Sequence, residues 1–167
     1  EDLEMKTSLK PIALNEKSYN VTLLHKTLEA LGLPVAKTEV AQGKAGKDTL
    51  KQVRALQKRL NVPVDKSILV NEATSLAIAD ALKKRGLTDA SRSFTVTGKV
   101  TLSDGKVKKR QELLAFDLDL RGVAVFRTVK TLSEIEKNGG FEFLGEAVSN
   151  TRGIYSITFY DWQYAEA

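Results

Sequence analysis

Residues 43–60 read GKAGKDTLKQVRALQKRL, and this stretch decides how the first half of the chain is read. Two glycines three apart, Gly43 and Gly46, mark a turn. Asp48 and Thr49 follow, and either can cap a helix by accepting a hydrogen bond from an unpaired first-turn N–H. Leu50, Val53, Leu56 and Leu60 then recur at helical spacing, which gives the helix one apolar face. Lys47, Lys51, Arg54 and Lys58 follow spacings of four, three and four, and form a basic stripe along the same helix.

Helical patterns flank this element on both sides. Upstream, Ser18 or Asn20 can cap a helix that buries Val21, Leu24, Leu28 and Leu31; Gly32 ends it and Pro34 prevents its continuation. Downstream, after Pro63, Asn71 and Glu72 open a third helix with Leu76, Ala79 and Leu82 facing inward. Three short helices over some 70 residues predict a small helical bundle, near the lower limit for independent stability.

The periodicity changes near residue 93. Phe94, Val96, Gly98, Val100 and Leu102 alternate with Thr95, Thr97, Lys99 and Thr101, which is strand spacing. Asp104-Gly105 is a hairpin-turn signal. Leu114, Phe116, Leu118 and Leu120 fall on one strand face, and Ala115, Asp117 and Asp119 on the other. Residues 123–129 are a further strand candidate, residues 132–137 a short helix or loop, and 143–149 and 154–160 two strands around the turn Asn150-Thr151-Arg152-Gly153. The expectation is an α+β chain of two modules, a helical bundle over 18–87 and an antiparallel β-sandwich over 94–167. Residues 1–17 are an N-terminal extension and 88–93 a linker. The sandwich lacks a final strand unless sequence beyond Ala167 supplies it, and a first residue other than Met fits a processed chain or an excised fragment.

Composition limits the chemistry. Of the 167 residues 42% are apolar and 28% charged, which fits a folded domain rather than disorder. No apolar run approaches the roughly 20 residues that span a bilayer. Glu1, Asp2 and Glu4 stand where a secretory signal would be basic and then apolar. Cysteine is absent, which removes disulfides and thiolate chemistry. The single histidine, His25, excludes multi-histidine zinc sites and is the only residue a Ser-His-Asp triad could use. Its place beside Leu24, near the helix's buried face, reads as packing or partial exposure. The net charge of +5 lies in the first half: residues 1–92 carry 16 Lys and Arg against 11 Asp and Glu, and residues 93–167 ten against ten. That bias favours anionic partners without demanding nucleic acid.

The first half resembles a peptidoglycan-binding-like domain. The matching residues are Gly43 and Gly46 before Thr49, then Val53 and Gln57, then Leu69-Val70-Asn71-Glu72-Ala73-Thr74 opening the third helix. Leu56 stands where that family has an aromatic residue, and Asn71 where it often has Asp. The second half looks like a carboxypeptidase-regulatory or transthyretin-like β-sandwich. It matches at Val96-Thr97-Gly98-Lys99-Val100, Asp104-Gly105, Ala115-Phe116-Asp117-Leu118-Asp119-Leu120-Arg121, Leu144-Gly145-Glu146-Ala147 and Gly153-Ile154-Tyr155-Ser156-Ile157. The stretch between Arg121 and Leu144 looks like an insertion. This module order is similar to segments of large bacterial proteins, among them relatives of the A subunit of insecticidal toxin complexes. The resemblance implies a non-catalytic binding or interaction segment of a larger secreted or particle-associated protein, with cell-wall glycan or a protein as partner and no cofactor. A structural or assembly module of a toxin or secretion particle is the alternative it leaves open.

Candidate sites follow, each with a plainer reading beside it. Lys47, Lys51, Arg54 and Lys58, with Gln57, are the candidate ligand-binding residues; a solvated helix face is the plain alternative. The turn Gly43-Lys44-Ala45-Gly46-Lys47 suggests a phosphate cradle but lacks P-loop spacing; the plainer reading is a tight turn whose glycines allow positive φ. Asp117, Asp119 and Glu146 are a weak candidate metal or acid/base set, or simply solvated and paired carboxylates. Tyr160, Trp162 and Tyr164 form a sugar-stacking platform or pack against a following domain.

Overall fold

The computed structural model describes residues 9–118, 128–137 and 141–164. The chain is mixed α+β. Helices α1 (Tyr19–Ala30), α2 (Lys37–Gln42), α3 (Lys47–Arg59) and α4 (Glu72–Lys84) come first. Then follow β1 (Ser93–Lys99), β2 (Glu112–Leu118), α5 (Leu132–Lys137), β3 (Phe141–Val148), β4 (Ile154–Tyr160) and α6 (Asp161–Tyr164). The change from helix to strand falls at Ser93, where the periodicity changes. Helix α2 is a fourth helix where three are expected. None of the described helices is long and apolar enough to cross a membrane.

The three long helices end in the same way. Leu33 N–H donates to Leu28 O at 2.8 Å, Val62 N–H to Gln57 O at 2.9 Å and Leu87 N–H to Leu82 O at 3.0 Å. Each bond closes over a residue with positive φ: Gly32 at 78°, Asn61 at 54° and Gly86 at 67°. This arrangement satisfies carbonyls that the helix end would otherwise leave unpaired. At the start of α4, Asn71 Oδ1 accepts from Thr74 N–H at 2.9 Å, an N-cap set by residue type.

The inward faces follow the sequence in part. On α1, Val21, Leu24 and Leu28 are fully buried, and Leu31 just beyond its end is 1% exposed. On α3, Thr49, Val53, Leu56 and Gln57 point inward. On α4 the buried residues are Thr74, Ser75, Ile78 and Leu82, while Leu76 is 60% exposed, against expectation. Ile78 and Leu76 lie about 200° apart around a helix, so burying one exposes the other. Polar tethers fix the choice: Thr74 Oγ1 accepts from Gln57 Nε2 at 2.9 Å, and Ser75 Oγ donates to Leu9 O at 2.7 Å. Leu9 and Ile12, in the stretch expected to be an extension, belong to this core. Ile12 is wholly buried and exchanges backbone bonds with Val70.

The start of α3 departs from the sequence reading. Asp48 and Thr49 are not its cap; they lie inside the first turn, after Gly46. Glu39 of α2 supplies the cap. Its carboxylate accepts from Asp48 N–H at 2.9 Å, Thr49 N–H at 2.8 Å and Thr49 Oγ1 at 2.7 Å. Asp48 returns the favour, with Oδ2 accepting from Ala36 N–H, the residue before α2, at 2.6 Å. The two helices therefore cap one another.

The described strands form two antiparallel pairs, β1 with β4 and β2 with β3. Ser93 faces Tyr160 and Lys99 faces Ile154; Glu112 faces Val148 and Leu118 faces Phe141, with an irregularity between Ala115 and Phe116. The pairs meet through β3 and β4, where Gly145 lies against Ile157. The turn at Asp104-Gly105 forms as read, with Gly105 at φ 81° and Thr101 bridging Val107. Most of the strand candidate at 123–129 lies outside the described residues. One core links both halves: Phe143 joins the helical cluster, and Leu114, Phe116 and Trp162 pack on its edge.

The Glu39 carboxylate occupies the space over Gly46, where a Cβ would lie 2.5 Å from Oε1. Gly46 sits at φ −89°, which alanine adopts without strain. Gly46→Ala is expected to cost about 1–2 kcal/mol by dislodging the cap. In a Glu39→Ala background the same change should cost far less. Urea denaturation of the four proteins in this cycle checks the coupling, and simply additive costs would show that the carboxylate is not what excludes the methyl group.

Candidate functional site

A cleft of about 500 Å³ opens between α1 and α2 on one side and β2, β3 and α5 on the other. That volume lies in the range of small-molecule sites. Its aromatic wall forms where the halves meet. Tyr19, the first residue of α1, lies 4.7 Å from Phe143 and 6.0 Å, edge-on, from Phe116, and those two are 5.7 Å apart, all between ring centroids. Such offset and edge-on contacts are the favoured aromatic geometries. Val35, Val40 and Ala41 line the α2 side and Ile135 comes from α5. Lys26 Nζ of α1 lies 3.5 Å from Glu142 Oε1 of β3, an ion pair that crosses from one half to the other. Lys17 and Lys37 also line the cleft and are exposed.

His25 lines the inner side and is 3% exposed. Its Nε2 is 2.9 Å from Thr49 Oγ1, whose own proton goes to Glu39. The hydroxyl must therefore accept from the imidazole, which places the ring proton on Nε2 and leaves Nδ1 as a bare acceptor. Nδ1 has no hydrogen-bond partner among the described residues. Burial pushes the His25 pKa down to about 4, with the nearby Glu39 carboxylate opposing it. The Glu39 carboxyl pays a desolvation cost, yet bonds from Thr49, Asp48 and Gly46 outweigh it and hold its pKa below the ordinary value.

The basic stripe is present on the surface of α3. Lys47, Lys51 and Lys58 are exposed. Arg54 folds back, donating Nη1 to Gln57 Oε1 at 2.7 Å and Nη2 to Asp65 O at 3.1 Å. Gln57 is corrected from a ligand residue to a core one: it is 1% exposed, and its amide is spent on Arg54 and Thr74. The stripe lies apart from the cleft, whose lining includes none of its residues.

The turn at residues 43–47 fits the plainer reading, a tight turn with a glycine at positive φ. Gly43 is the left-handed C-cap of α2 at φ 58°, and the first turn of α3 already holds the Glu39 carboxylate. An incoming anion would meet a like charge there. The acidic set does not assemble among the described residues. Asp117 faces Glu142 in the strand register, Glu146 faces Leu114 and pairs with Lys10 at 2.8 Å, and Asp119 lies outside the described residues. No group of three His, Asp or Glu side chains gathers there as a metal site. The aromatic platform is split. Trp162 stacks on Tyr160 at 6.3 Å and donates Nε1 to Leu87 O at 2.9 Å, facing the helical half. Tyr164 instead meets Phe94 and Phe159 on the β1–β4 ribbon.

Sequence reasoning missed the cleft. Tyr19, Phe116 and Phe143 are far apart in the chain, and only Phe116 was grouped with other apolar residues on one face of an element. The signal available was an aromatic residue opening an amphipathic helix and two more on strands destined to pair.

The His25 shift sets a pH dependence. The folded pKa lies below the ordinary value of 6.5, so the unfolded chain binds more protons between about pH 6.5 and 4. Stability is therefore full above pH 6.5 and falls as the pH drops toward 4. A loss on the order of 2–3 kcal/mol is expected between pH 7.5 and 4.5. Glu39 acts in the same sense but in a lower window, below its ordinary value of 4.5. Urea titrations across this range, with His25→Gln beside the native chain, check it; an unchanged slope in the variant would assign the effect elsewhere. Comparison with protein-family models, curated proteins and solved structures finds no match to this chain.

Proposed function

We propose that the chain is a non-catalytic recognition segment of a larger bacterial secreted or toxin-related protein, working outside the cell or on an extracellular particle. In this reading the helical half is a peptidoglycan-binding-like module and the strand half a carboxypeptidase-regulatory or transthyretin-like sandwich, the order that the motifs suggest. The partner is cell-wall glycan, or a surface or protein partner. The observation that carries the proposal is the cleft of about 500 Å³ at the junction of the halves, with three aromatic rings on its wall. Aromatic faces and a rim of polar side chains suit binding of a ring or chain. The commitment of His25 to Thr49, as a buried neutral base, supports a structural role for the sole histidine. The exposed basic face of α3 adds long-range attraction for an anionic wall polymer.

A second reading, an assembly or scaffold module, draws on a different surface. Phe94 and Val96 of β1 are 51% and 49% exposed, and β1 pairs only with β4 among the described residues. An apolar strand with a free edge can add a strand from another chain.

A pull-down on purified peptidoglycan at low and high salt tests the first reading. The variants are Ala41→Trp, which narrows the cleft, and Lys47/Lys51/Arg54/Lys58→Glu. Recognition in the cleft predicts binding that resists salt, survives charge reversal and falls at least tenfold with Ala41→Trp. Binding lost in salt and in the reversed variant reduces the interaction to surface charge. No binding under any condition moves the assignment to the scaffold reading and its protein partner.

A further inference from the structure

We propose that the cleft takes a small amphipathic anion, a ring or branched apolar body carrying one negatively charged group; this rests on the cleft being the recognition site. The apolar part of the ligand is set by the aromatic wall of Tyr19, Phe116 and Phe143, faced by Val35 and Ala41. Tyr19 and Phe116 line the cleft and are only partly buried. Covering such surface is favourable at about 25 cal/mol per Å² of apolar area.

The sign of the charged group follows from the rim. Lys26 and Glu142 pair with each other across the cleft. Lys17 and Lys37, at the two ends of the loop-and-helix wall, have no ion pair among the described residues. Against them stands Glu29, exposed on the last turn of α1. Among the described residues the lining therefore carries three lysines and two glutamates, with one positive charge in excess. His25 adds no charge near neutral pH, because burial keeps it deprotonated. An anionic group at the mouth meets net attraction there, and a cationic one meets repulsion at the same lysines.

Two fluorescent probes of similar shape separate the apolar and the charged requirements: 8-anilinonaphthalene-1-sulfonate, an aromatic anion, and N-phenyl-1-naphthylamine, its neutral counterpart. Each is titrated into the intact chain at pH 7.5. The expected result is saturable binding of the anion at one site per chain. It should weaken at least tenfold in Ala41→Trp and in Val40→Trp, two exposed lining positions whose folding is checked by circular dichroism. In Lys17→Gln/Lys37→Gln the anion should lose about fivefold or more in affinity, while the neutral probe changes less than twofold. Equal binding of both probes, unaffected by the lysine changes, would overturn the anion assignment and leave the cleft as a recognition site. Absence of saturable binding, or binding untouched by both tryptophans, would overturn the site itself.

Discussion

The Glu39 carboxylate on the first turn of α3 is the contact on which the helical half depends. A helix start presents unpaired N–H groups and a partial positive charge, and a residue in sequence at the N-cap normally answers both. Here the N-cap is Gly46, which has no side chain, and the answer comes from a neighbouring helix. That choice has three consequences. It pins α2, a six-residue helix too short to persist alone, against α3. It orients the Thr49 hydroxyl toward Glu39, which in turn fixes the tautomer of His25. It also closes the α3 terminus to outside anions. Because α2 forms one wall of the cleft, the shape of the cleft is inherited from this one carboxylate.

The junction of the halves is held by packing more than by charge. Lys10–Glu146 and Lys26–Glu142 both cross it, at 2.8 and 3.5 Å, but their side chains keep between 21% and 49% of their surface exposed. Pairs of that kind contribute roughly 0–1 kcal/mol. Phe143 is 4% exposed within the helical core, and burying a phenylalanine contributes about 1.5–3 kcal/mol. The aromatic contact therefore supplies most of the attraction, and the ion pairs help set orientation. A ligand in the cleft touches both halves, so its binding free energy adds to the same docking equilibrium.

What could be read from the sequence was what is local. The helix end at Gly32, the cap at Asn71, the turns at Gly105 and Gly153 and the change to strands at Ser93 each depend on a few adjacent residues with one dominant preference. What failed depended on partners distant in the chain. Leu76 and Ile78 are equally apolar, and only the tethers from Gln57 and Leu9 decide which is buried. Gln57 reads as a surface residue beside Arg54 until Thr74 is brought within 2.9 Å of it. The six residues of α2 carry too little periodicity to be seen, which hid Glu39 and with it the real cap of α3. The cleft was invisible for the same reason: its wall is assembled from α1, β2 and β3, and no spacing rule spans 19, 116 and 143.

The strand half carries a different constraint. A two-stranded ribbon is marginal by itself in water. The β1–β4 ribbon keeps Phe94 and Val96 half exposed and buries only Ile157 of its described side chains, against β3. Further anchoring comes from its ends. Arg92, just before β1, makes a two-pronged contact with Asp161, just after β4, at 3.0 and 3.1 Å through Nε. Trp162 reaches Leu87, just past the end of α4, and Gln163, 4% exposed, uses its amide on Tyr160 N–H and Leu144 O. The short helix α6 is thus a clasp that ties the ribbon to β3 and to the end of α4. Apolar surface left open above a clasped ribbon raises the gain from covering it with another strand while the clasp keeps the ribbon in place. A partner added at β1 would need to reorganise little of the helical half, and the two candidate surfaces, cleft and ribbon edge, can be occupied independently.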